Sequence, residues 1–333
     1  MRLLVLGGTV FVGHTVAAEA LRRGHDVVCA ARGESGAVPD GARLVTVDRD
    51  AEDGLAPLAG QEFDAVVDVA TLSHPWVTRA LAAFGGSARH WTFVSTINVY
   101  ADNETPNQGP DAPLVEPITR HATREDMKTE EGVALYGGIK VASENAVREA
   151  MGEHAFIVRP GLISGPGDVL DRFGYWPARF SRGGRVLVPD VPEQPMQFID
   201  VRDLAEWIVD AAEKDLGGTF DGIGPHRPLP DLLHDIAEAV GVDVEFVPAT
   251  AEQLTAAEVN SWAGPRSLPF WLPPSHFGLS GRDAQPSLDA GMPVRPLADA
   301  VAGALERERL LGLDRERKAG LSPAEEAQVL AGL

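Results

Sequence analysis

A tyrosine and a lysine, four residues apart in Tyr136-Gly-Gly-Ile-Lys140, have the residue types and the spacing that point most directly to chemistry. Residues i and i+4 share one face of a helix, so the phenol and the ammonium are expected side by side. A free tyrosine has a pKa of about 10, and a neighbouring cation favours its phenolate form. Tyr136 is therefore predicted to exchange a proton with a substrate hydroxyl or carbonyl while a hydride moves to or from a cofactor. The alternative is an exposed helix pair without a catalytic function.

A second hydroxyl group is expected near this pair. The apolar segment 90–95 predicts a strand, and Thr96 follows it directly. The carboxyl end of a parallel strand faces the crevice in which α/β folds bind cofactors. Thr96 is therefore predicted to hydrogen-bond the reacting oxygen and to share its proton with Tyr136. The alternative is that Thr96 only caps a turn.

A glycine-rich turn, Gly7-Gly-Thr-Val-Phe-Val-Gly13, lies between the first predicted strand (2–6) and the first predicted helix. In this context it predicts a dinucleotide-binding turn, in which Gly7 permits the tight turn and Gly13 lets the helix pack closely. The free N–H groups at the helix start would bind the pyrophosphate. Val10 departs from the pattern, which has glycine there, and its side chain would crowd the backbone's approach to the pyrophosphate. The cofactor-binding candidates in the turn are Gly7, Thr9, Phe11, Val12 and Gly13.

The elements that position these residues follow from the alternation of short apolar segments and helical patterns. This alternation is typical of a parallel sheet covered on both faces, and it predicts an α/β fold with a Rossmann-type doubly wound parallel sheet. Residues 101–131 are rich in Pro, Asp, Asn, Glu and Thr, and a loop of this length predicts a functional segment such as a lid. The predicted strands are 2–6, 26–31, 43–47, 64–69, 90–95 and 154–159, and the predicted helices include 75–84 and 132–151.

The composition changes after Pro160, where Gly, Pro and aromatic residues punctuate shorter elements. This change predicts a smaller C-terminal substrate domain, while an amphipathic helix within 198–214 returns to the main domain. The predicted division is a dinucleotide-binding Rossmann domain at 1–165 with 196–222 returning to it, a smaller substrate-binding domain at 166–195 and 223–312, and a peripheral helical tail at 313–333.

The end of the second predicted strand meets the adenosine ribose in dinucleotide-binding folds, and an acid there favours NAD. This chain has Arg32 at that position, and an arginine can pair with a 2′-phosphate. The predicted cofactor is therefore NADP, with NAD as the second choice. The alternatives are that Arg32 stacks on adenine or points to solvent. Asp48, after the third strand, is placed to receive the adenine amino group, and Arg49 is predicted to add to the same pocket.

Composition excludes several function classes. The 333 residues include one cysteine, Cys29, which rules out an internal disulfide. A formal net charge of −20 argues against electrostatic binding of nucleic acid. The apolar runs are too short for a membrane span or a signal peptide, so we expect a cytoplasmic protein without a membrane partner. The nine histidines lack metal-binding spacing, so no metal is predicted.

Six motifs in this order resemble the extended short-chain dehydrogenase/reductase family, often labelled NAD-dependent epimerase/dehydratase. The resemblance implies that Thr96, Tyr136 and Lys140 form the catalytic triad. It also implies that Ala70 lies near the pyrophosphate or ribose, that the Pro160 segment supports the nicotinamide side, and that the protein is a homodimer. The motifs are GGTVFVG at 7–13, DVA at 68–70, VSTINVY at 94–100, YGGIK at 136–140, RPGLISGPGD at 159–168 and FIDVRDLA at 198–205.

Departures from the family pattern narrow the subgroup. Sugar-nucleotide dehydratases follow the threonine with Asp-Glu, whereas this chain has Ile97-Asn98, so dehydration is not expected. Sugar-nucleotide epimerases usually have an arginine where this chain has Met196, which argues against a UDP-sugar substrate. The sequence is more similar to an atypical branch of reductase-like members. Some distant plant relatives of that branch bind RNA, but the acidity of this chain argues against that function.

Aromatic residues in the second half are candidates for an apolar substrate pocket. Tyr175, Trp176 and Phe198 are the predicted substrate contacts, and the alternative is that such aromatic residues form the core of the small domain. His74 could reach the nicotinamide end, or it could be a structural residue at a helix start.

Three hypotheses for the function follow. The first is an NAD(P)-dependent oxidoreductase that acts on a hydroxyl/carbonyl carbon of a small molecule. The second is an NAD(P)-dependent epimerase of a sugar-like substrate, which oxidises and re-reduces one carbon. The third is a catalytically silent dinucleotide- or RNA-binding module. Stoichiometric consumption of the cofactor separates the first from the second.

Overall fold

The computed structural model describes residues 1–129 and 131–333. In the first half of the chain the elements are β1 (Arg2–Leu6), α1 (Phe11–Arg22), β2 (Asp26–Ala31), β3 (Arg43–Thr46), β4 (Ala65–Asp68), α2 (His74–Phe84), β5 (His90–Val94), α3 (Gly132–Met151) and β6 (Ala155–Pro160). In the second half they are β7 (Ile163–Ser164), α4 (Arg172–Phe180), β8 (Gly184–Pro189), β9 (Pro195–Met196), β10 (Ile199–Asp200), α5 (Val201–Lys214), β11 (Gly218–Gly222), β12 (Arg227–Pro228), α6 (Leu229–Val240), β13 (Val244–Ala249), α7 (Ala251–Ala256), β14 (Asn260–Ser261), β15 (Gly264–Pro265), β16 (Ser267–Leu268), α8 (Gln285–Asp289), α9 (Leu297–Leu311), β17 (Ala319–Gly320) and α10 (Pro323–Gly332).

Seven of these strands form one parallel sheet in the order β11-β6-β5-β4-β1-β2-β3. The strand order reverses between β1 and β4, and dinucleotides bind at the carboxyl ends of strands beside such a switch point. The glycine turn follows β1 and Thr96 follows β5, and both strands end at this edge of the sheet. Tyr136 and Lys140 lie in α3 beside the same edge. The predicted doubly wound Rossmann-type sheet is therefore confirmed.

The central strands of the sheet are buried on both faces, and most of their residues are apolar. Along β1, Leu3 and Val5 join the core beneath α1 and α5, whereas Leu4 and Leu6 join the core beneath α2 and α3. Alternate residues of a strand point to opposite faces, so a strand in the middle of a three-layer fold needs an unbroken apolar run. The run RLLVL meets this requirement.

A separate core lies in the second half of the chain, between α4, α6 and α9 and beside the parallel pair β8 and β13. Its largest side chains are aromatic. Phe173 contacts Phe270 at a ring-centroid distance of 5.9 Å, and Trp176 contacts Phe180 at 5.5 Å. Most residues of this core belong to the ranges predicted to form the smaller substrate domain. The exact domain boundaries stay a prediction.

Two parts of the predicted division differ from the structure. The tail is not peripheral, because Leu321 and Val329 are buried in the aromatic core and the buried carboxylate of Glu326 forms an ion pair with Arg179. Residues 285–292 do not belong with the small domain, because Met292 packs in the core beneath α5. The apolar positions in both segments are too few and too widely spaced to reveal these contacts from the sequence.

The connection between β5 and α3, residues 101–131, folds back along the crevice. Its residue 130 lies outside the described residues. Val115 N donates to Val99 O at 2.9 Å, and Ile118 N donates to Gly138 O at 2.8 Å. The segment is therefore held against both the end of β5 and the first turns of α3. We refer to residues 101–129 as the covering segment. None of the described helices is long and apolar enough to cross a membrane.

Candidate active site

The glycine turn after β1 has no room for a side chain at Gly7, Gly8 or Gly13, and a Cβ at Gly8 would lie 2.4 Å from Cys29 Sγ. Gly7 has φ +108°, a conformation that other residues rarely adopt, and a Cβ there would lie 2.5 Å from Val69 Cγ2. A Cβ at Gly13 would lie 2.3 Å from the carbonyl oxygen of Gly7. The first turn of α1 therefore packs directly on the β1–α1 turn, as a dinucleotide cradle requires.

The start of α1 has the chemistry of an anion site. Within the described residues, no side chain caps this helix end, so its first N–H groups stay free for a phosphate. Val10 occupies the N-cap position in an extended conformation, with φ −141° and ψ 140°, so its backbone does not demand glycine. Phe11 follows with φ +43°. The residues present fit the pyrophosphate of a dinucleotide, and Thr9 and Val12 complete the turn.

The residues predicted to contact the adenosine differ in availability. Arg32 lies at the end of β2 with a side chain that is 51% exposed, and its Nε is 3.7 Å from a carboxylate oxygen of Glu34. Asp48 is exposed, and its Oδ1 accepts a hydrogen bond from Asp50 N at 3.1 Å. Both side chains remain accessible to a ligand.

Arg49 is the exception, and its predicted place in the adenine pocket is wrong. Its guanidinium is buried and forms a two-bond ion pair with Asp68, at 2.8 and 2.9 Å. It also donates to Trp76 O at 2.8 Å. A guanidinium with these partners ties the end of β3 to the end of β4 and to α2. Because all three partners are protein groups, Arg49 is a structural residue.

Lys140 lies on α3, one turn after Tyr136, and points into the sheet edge. Its Nζ donates to the carbonyl oxygens of Ala70 and Val94, both at 2.6 Å. Burial lowers the pKa of Lys140 to about 7, and the nearby carboxylates of Asp68 and Glu144 oppose this shift. The ammonium thus bridges the ends of β4 and β5 directly at the switch point.

Tyr136 and Thr96 lie next to each other, beside Lys140. The Nζ of Lys140 lies 5.8 Å from the centroid of the Tyr136 ring. Burial raises the pKa of Tyr136, and a hydrogen bond with the Thr96 side chain opposes the shift. Thr96 Oγ1 also accepts from Asn98 N at 3.2 Å, so the threonine both caps the following turn and contacts the tyrosine. Burial and the threonine therefore act on the pKa of the phenol in opposite directions.

Two glycines that the sequence analysis did not single out let α3 approach its neighbours. A Cβ at Gly137 would lie 2.2 Å from the carbonyl oxygen of Asn98, and a Cβ at Gly138 would lie 2.7 Å from Ile118. Both glycines flank Tyr136 on the helix. They allow the turn after Thr96 and the covering segment to pack against the catalytic helix without displacing it.

A buried ion pair, also missed from the sequence, fixes the rotation of α3. Glu144, one turn after Lys140, accepts two hydrogen bonds from Arg159 at 2.9 and 2.7 Å and one from Ser95 Oγ at 2.5 Å. Ser95 directly precedes Thr96. The catalytic helix and the catalytic strand end are therefore joined by charged groups that are excluded from water, where such bonds hold position well.

The same network continues to the covering segment. Tyr100 donates its hydroxyl proton to Asp221 at 2.5 Å, and Arg282 donates to Asp221 at 2.7 Å. Arg282 also donates to Gly109 O at 2.7 Å, and Arg159 donates to Pro110 O at 2.8 Å. Two buried arginines thus hold the covering segment through its backbone carbonyls.

Comparison with known proteins agrees with this geometry. A model of the NAD-dependent epimerase/dehydratase family matches residues 3–221. The chain belongs to this family. The family match and a reductase relative identify the chain as an NAD(P)-dependent oxidoreductase or epimerase of the short-chain dehydrogenase/reductase type. They also support a nicotinamide dinucleotide as its cofactor.

One curated relative and two solved structures illustrate the family. The 2′-dehydrokanamycin reductase of Streptomyces kanamyceticus is 28% identical over 274 residues, which are 78% of this chain and 73% of that protein. The Bordetella bronchiseptica enzyme WbmH, in complex with NAD+, is 19% identical with a TM-score of 0.63, covering 92% of this chain and 98% of its own. The human epimerase family protein SDR39U1, with NADPH, is 18% identical with a TM-score of 0.61, covering 92% and 99%. These two likenesses show the fold.

Two of the three predicted substrate contacts are wrong. Tyr175 and Trp176 are buried in the aromatic core of the second half, and the Trp176 indole N–H donates to Pro269 O at 3.0 Å. An aromatic pattern on a short helix is compatible with a pocket or a core, and packing between α4 and α9 made it core. Phe198 is partly buried and contacts Phe173 at 4.7 Å, so its role as a substrate contact stays a prediction.

Pro160 and Met196 are two further positions that the family resemblance singled out. Pro160 ends β6, and a Cβ at the next residue, Gly161, would lie 3.2 Å from Ile97. The Pro160 segment therefore adjoins the turn after Thr96. Met196, which stands where family epimerases have an arginine, is buried in the aromatic core.

His74 is the first residue of α2, where burial lowers the pKa of its imidazole. Its backbone N–H donates to Arg120 O in the covering segment at 3.3 Å. This hydrogen bond supports the alternative that His74 is a structural residue at the start of a helix. The expectations of no metal, no nucleic-acid partner, a homodimer and a cytoplasmic location stay predictions.

Proposed function

We propose that this family member is an NADP(H)-dependent reductase that converts a ketone of a small polar molecule into a secondary alcohol. The observation that carries the proposal is the position of Tyr136, which lies beside Thr96 and one helix turn before Lys140 at the carboxyl edge of the sheet. A phenol in this position can donate its proton to a carbonyl oxygen as a general acid.

The cofactor supplies a hydride to the carbonyl carbon when it is bound. Tyr136 donates its proton to the carbonyl oxygen, so the C=O double bond becomes a C–OH and a C–H single bond, and the two electrons come from the hydride. Thr96 positions that oxygen through its own hydroxyl. Lys140, held by two carbonyl groups, has one N–H left to anchor the nicotinamide ribose and to stabilise the phenolate that remains.

The rest of the cofactor would be held by residues around the switch point. The N–H groups at the start of α1 would bind the pyrophosphate, and Gly7 and Gly13 allow its close approach. Arg32 supports NADP because its guanidinium is accessible at the end of β2 and would pair with a 2′-phosphate. Asp48 would accept from the adenine amino group.

Reduction is favoured over epimerisation by two further observations. The curated relative is a reductase by name, and it covers most of this chain. The position of the arginine that family epimerases use to grip a diphosphate is taken by the buried Met196. A molecule without a nucleoside diphosphate fits such a site better, and the substrate is a small molecule.

The test has a binding arm and a turnover arm. NADPH and NADH are titrated into cofactor-free protein, and Arg32→Asp is expected to weaken NADPH selectively by about tenfold or more, the loss of one charge-assisted contact. Equal binding of the two cofactors by the wild type would refute the NADP assignment.

The turnover arm measures NADPH oxidation with 2-keto-myo-inositol and related cyclic hydroxyketones. Tyr136→Phe is expected to abolish turnover while NADPH still binds, because it removes only the acid. Tyr175→Phe is the matched control, since it removes a phenolic hydroxyl in the aromatic core. Turnover without net NADPH consumption would identify an epimerase instead and refute the reductase proposal.

A further inference from the structure

Residues 161–168 run along the crevice between the catalytic strand end and the glycine turn. At one end, Gly161 adjoins Ile97, the residue after Thr96. At the other end, a Cβ at Gly167 would lie 3.5 Å from the ring of Phe11. Gly167 has φ +90°, so the chain turns sharply here and then presents Asp168. Asp168 therefore lies at the edge of the crevice in which a cofactor and a substrate would meet.

Asp168 and Arg172 are half-buried charged residues, and each has one buried polar atom without a partner. Asp168 Oδ1 accepts from Leu170 N at 2.8 Å, but its buried Oδ2 has no hydrogen-bond partner among the described residues. In the same part of the structure, the buried Nε of Arg172 is also without a partner. The two charges are near enough to affect each other's pKa, yet they form no direct ion pair within the described chain.

Burial dominates the electrostatics of both groups. It raises the pKa of Asp168 to about 6 and lowers the pKa of Arg172. Buried polar atoms in native proteins are almost always hydrogen-bonded, and an unsatisfied one destabilises the fold. The carboxylate of Asp168 and the guanidinium of Arg172 therefore each have an acceptor or donor atom that the described chain leaves unsatisfied.

The neighbouring Asp171 shows that the sequence can satisfy an acid here. Its carboxylate accepts from Arg315 at 2.5 and 3.0 Å and from Lys318 N at 2.9 Å. Three residues apart, one aspartate is fully paired and the other is not. The difference indicates that Asp168 is kept free for a group from outside the chain.

The surroundings of the pair also have features of a ligand site. The guanidinium of Arg172 lies over the ring of Trp262 at 4.9 Å, and Trp262 has φ +67°. Glu258, Arg266 and Phe270 on the same segment also have positive φ, and such strain concentrates at ligand-binding segments. Val169 and Leu170 beside Asp168 are about half exposed, so the loop presents apolar surface next to the unpaired acid.

We propose that Asp168 and Arg172 form the substrate-recognition pair of the crevice and bind a hydroxylated ring, a sugar or cyclitol. Asp168 accepts from a hydroxyl or an ammonium of the ring, and Arg172 donates to a neighbouring hydroxyl oxygen. Adjacent ring substituents offer one donor and one acceptor on one edge, which matches one carboxylate and one guanidinium. That this ring also contains the reacting ketone rests on the proposed reductase function; the binding of the ring by Asp168 and Arg172 does not.

Binding without cofactor separates this proposal from the reductase proposal. Myo-inositol and streptamine, a diamino cyclitol, are titrated into wild-type protein by calorimetry, with cyclohexanol as the apolar control. Binding of either cyclitol is expected, and a preference for streptamine would assign Asp168 an ammonium partner. Asp168→Asn is expected to weaken streptamine by about tenfold or more, and Arg172→Gln to weaken both cyclitols. Absence of binding by the wild type, or binding unchanged in both variants, would overturn the proposal.

A stability comparison distinguishes recognition from a structural role. Asp168→Asn is expected to leave the Tm of the free protein unchanged or higher, because it removes a buried charge without a partner. Asp171→Asn is the matched control and is expected to lower the Tm, because it breaks three hydrogen bonds. An equal loss of Tm in both variants would show that Asp168 is structural.

Discussion

Lys140 should make the stability of the protein depend on pH in a direction opposite to that of an ion-paired lysine. Its ammonium is 2% exposed and has two carbonyl oxygens as partners. The nearby carboxylates, Asp68 and Glu144, are already neutralised by Arg49 and Arg159. Burial therefore dominates and lowers the pKa from 10.5 to about 7.

The sign of the effect follows from proton binding. Between pH 7 and 10.5, the unfolded chain keeps a proton on Lys140 that the folded chain has lost. The unfolded state thus binds more protons, and stability rises with pH across this window. Below pH 7 both states are protonated and this contribution is constant at its least favourable value. A pKa difference of this size corresponds to about 5 kcal/mol as an upper value.

The assay is urea unfolding of wild type and Lys140→Met at half-unit steps from pH 6 to 10. The wild-type free energy of unfolding minus that of the variant is expected to rise by about 3–4 kcal/mol between pH 7 and 10. The loss of two hydrogen bonds in the variant adds an offset that does not depend on pH. Lys128→Met, at an exposed lysine, is the control and should run parallel to wild type. Parallel curves for Lys140→Met as well would refute the burial argument.

Three further predictions concern the cofactor turn and the buried network. Gly13→Ala places a Cβ 2.3 Å from a backbone oxygen and should weaken NADPH binding by about tenfold or more, whereas Gly86→Ala, which meets open space, should not; equal binding by both would contradict the packing argument. Val10→Gly should tighten NADPH binding, because it removes the side chain that would crowd the pyrophosphate. The gain should be about threefold at most, because ordering a glycine costs about 0.5–1 kcal/mol of conformational entropy. Weaker binding by the variant in a titration would show that the valine does not crowd the pyrophosphate. Arg282→Met should lower the free energy of unfolding by about 3 kcal/mol, since it leaves Asp221 buried without its cation; a urea-unfolding change below about 1 kcal/mol would contradict this.

Features that depend on neighbours in sequence were predictable. The turn at Gly7 and the i, i+4 pair of Tyr136 and Lys140 are local patterns, and the apolar runs gave strand bounds within a residue or two of the structure. The sheet order then follows from the rules for doubly wound folds. Thr96 was located because the strand before it ends at the same edge as the glycine turn.

Features that depend on distant partners were not predictable. Arg49 follows Asp48 and would share its pocket, but its partner Asp68 is 19 residues away on the adjoining strand. Tyr175 has the same aromatic character whether it lines a pocket or fills a core, and only the packing of α4 decides. The missing partner of Asp168 Oδ2 could not be predicted either, because the sequence does not show which buried atoms lack a hydrogen bond.

The burial of one helix face acts on both members of the catalytic pair. Excluding water disfavours every charged form, so it raises the pKa of the Tyr136 phenol and lowers the pKa of the Lys140 ammonium. The two carbonyl groups that accept from Lys140 stabilise its ammonium against this shift. The depth of α3 against β4 and β5 depends on Gly137, Gly138 and the Glu144–Arg159 pair, so these residues control how strongly both catalytic groups are desolvated.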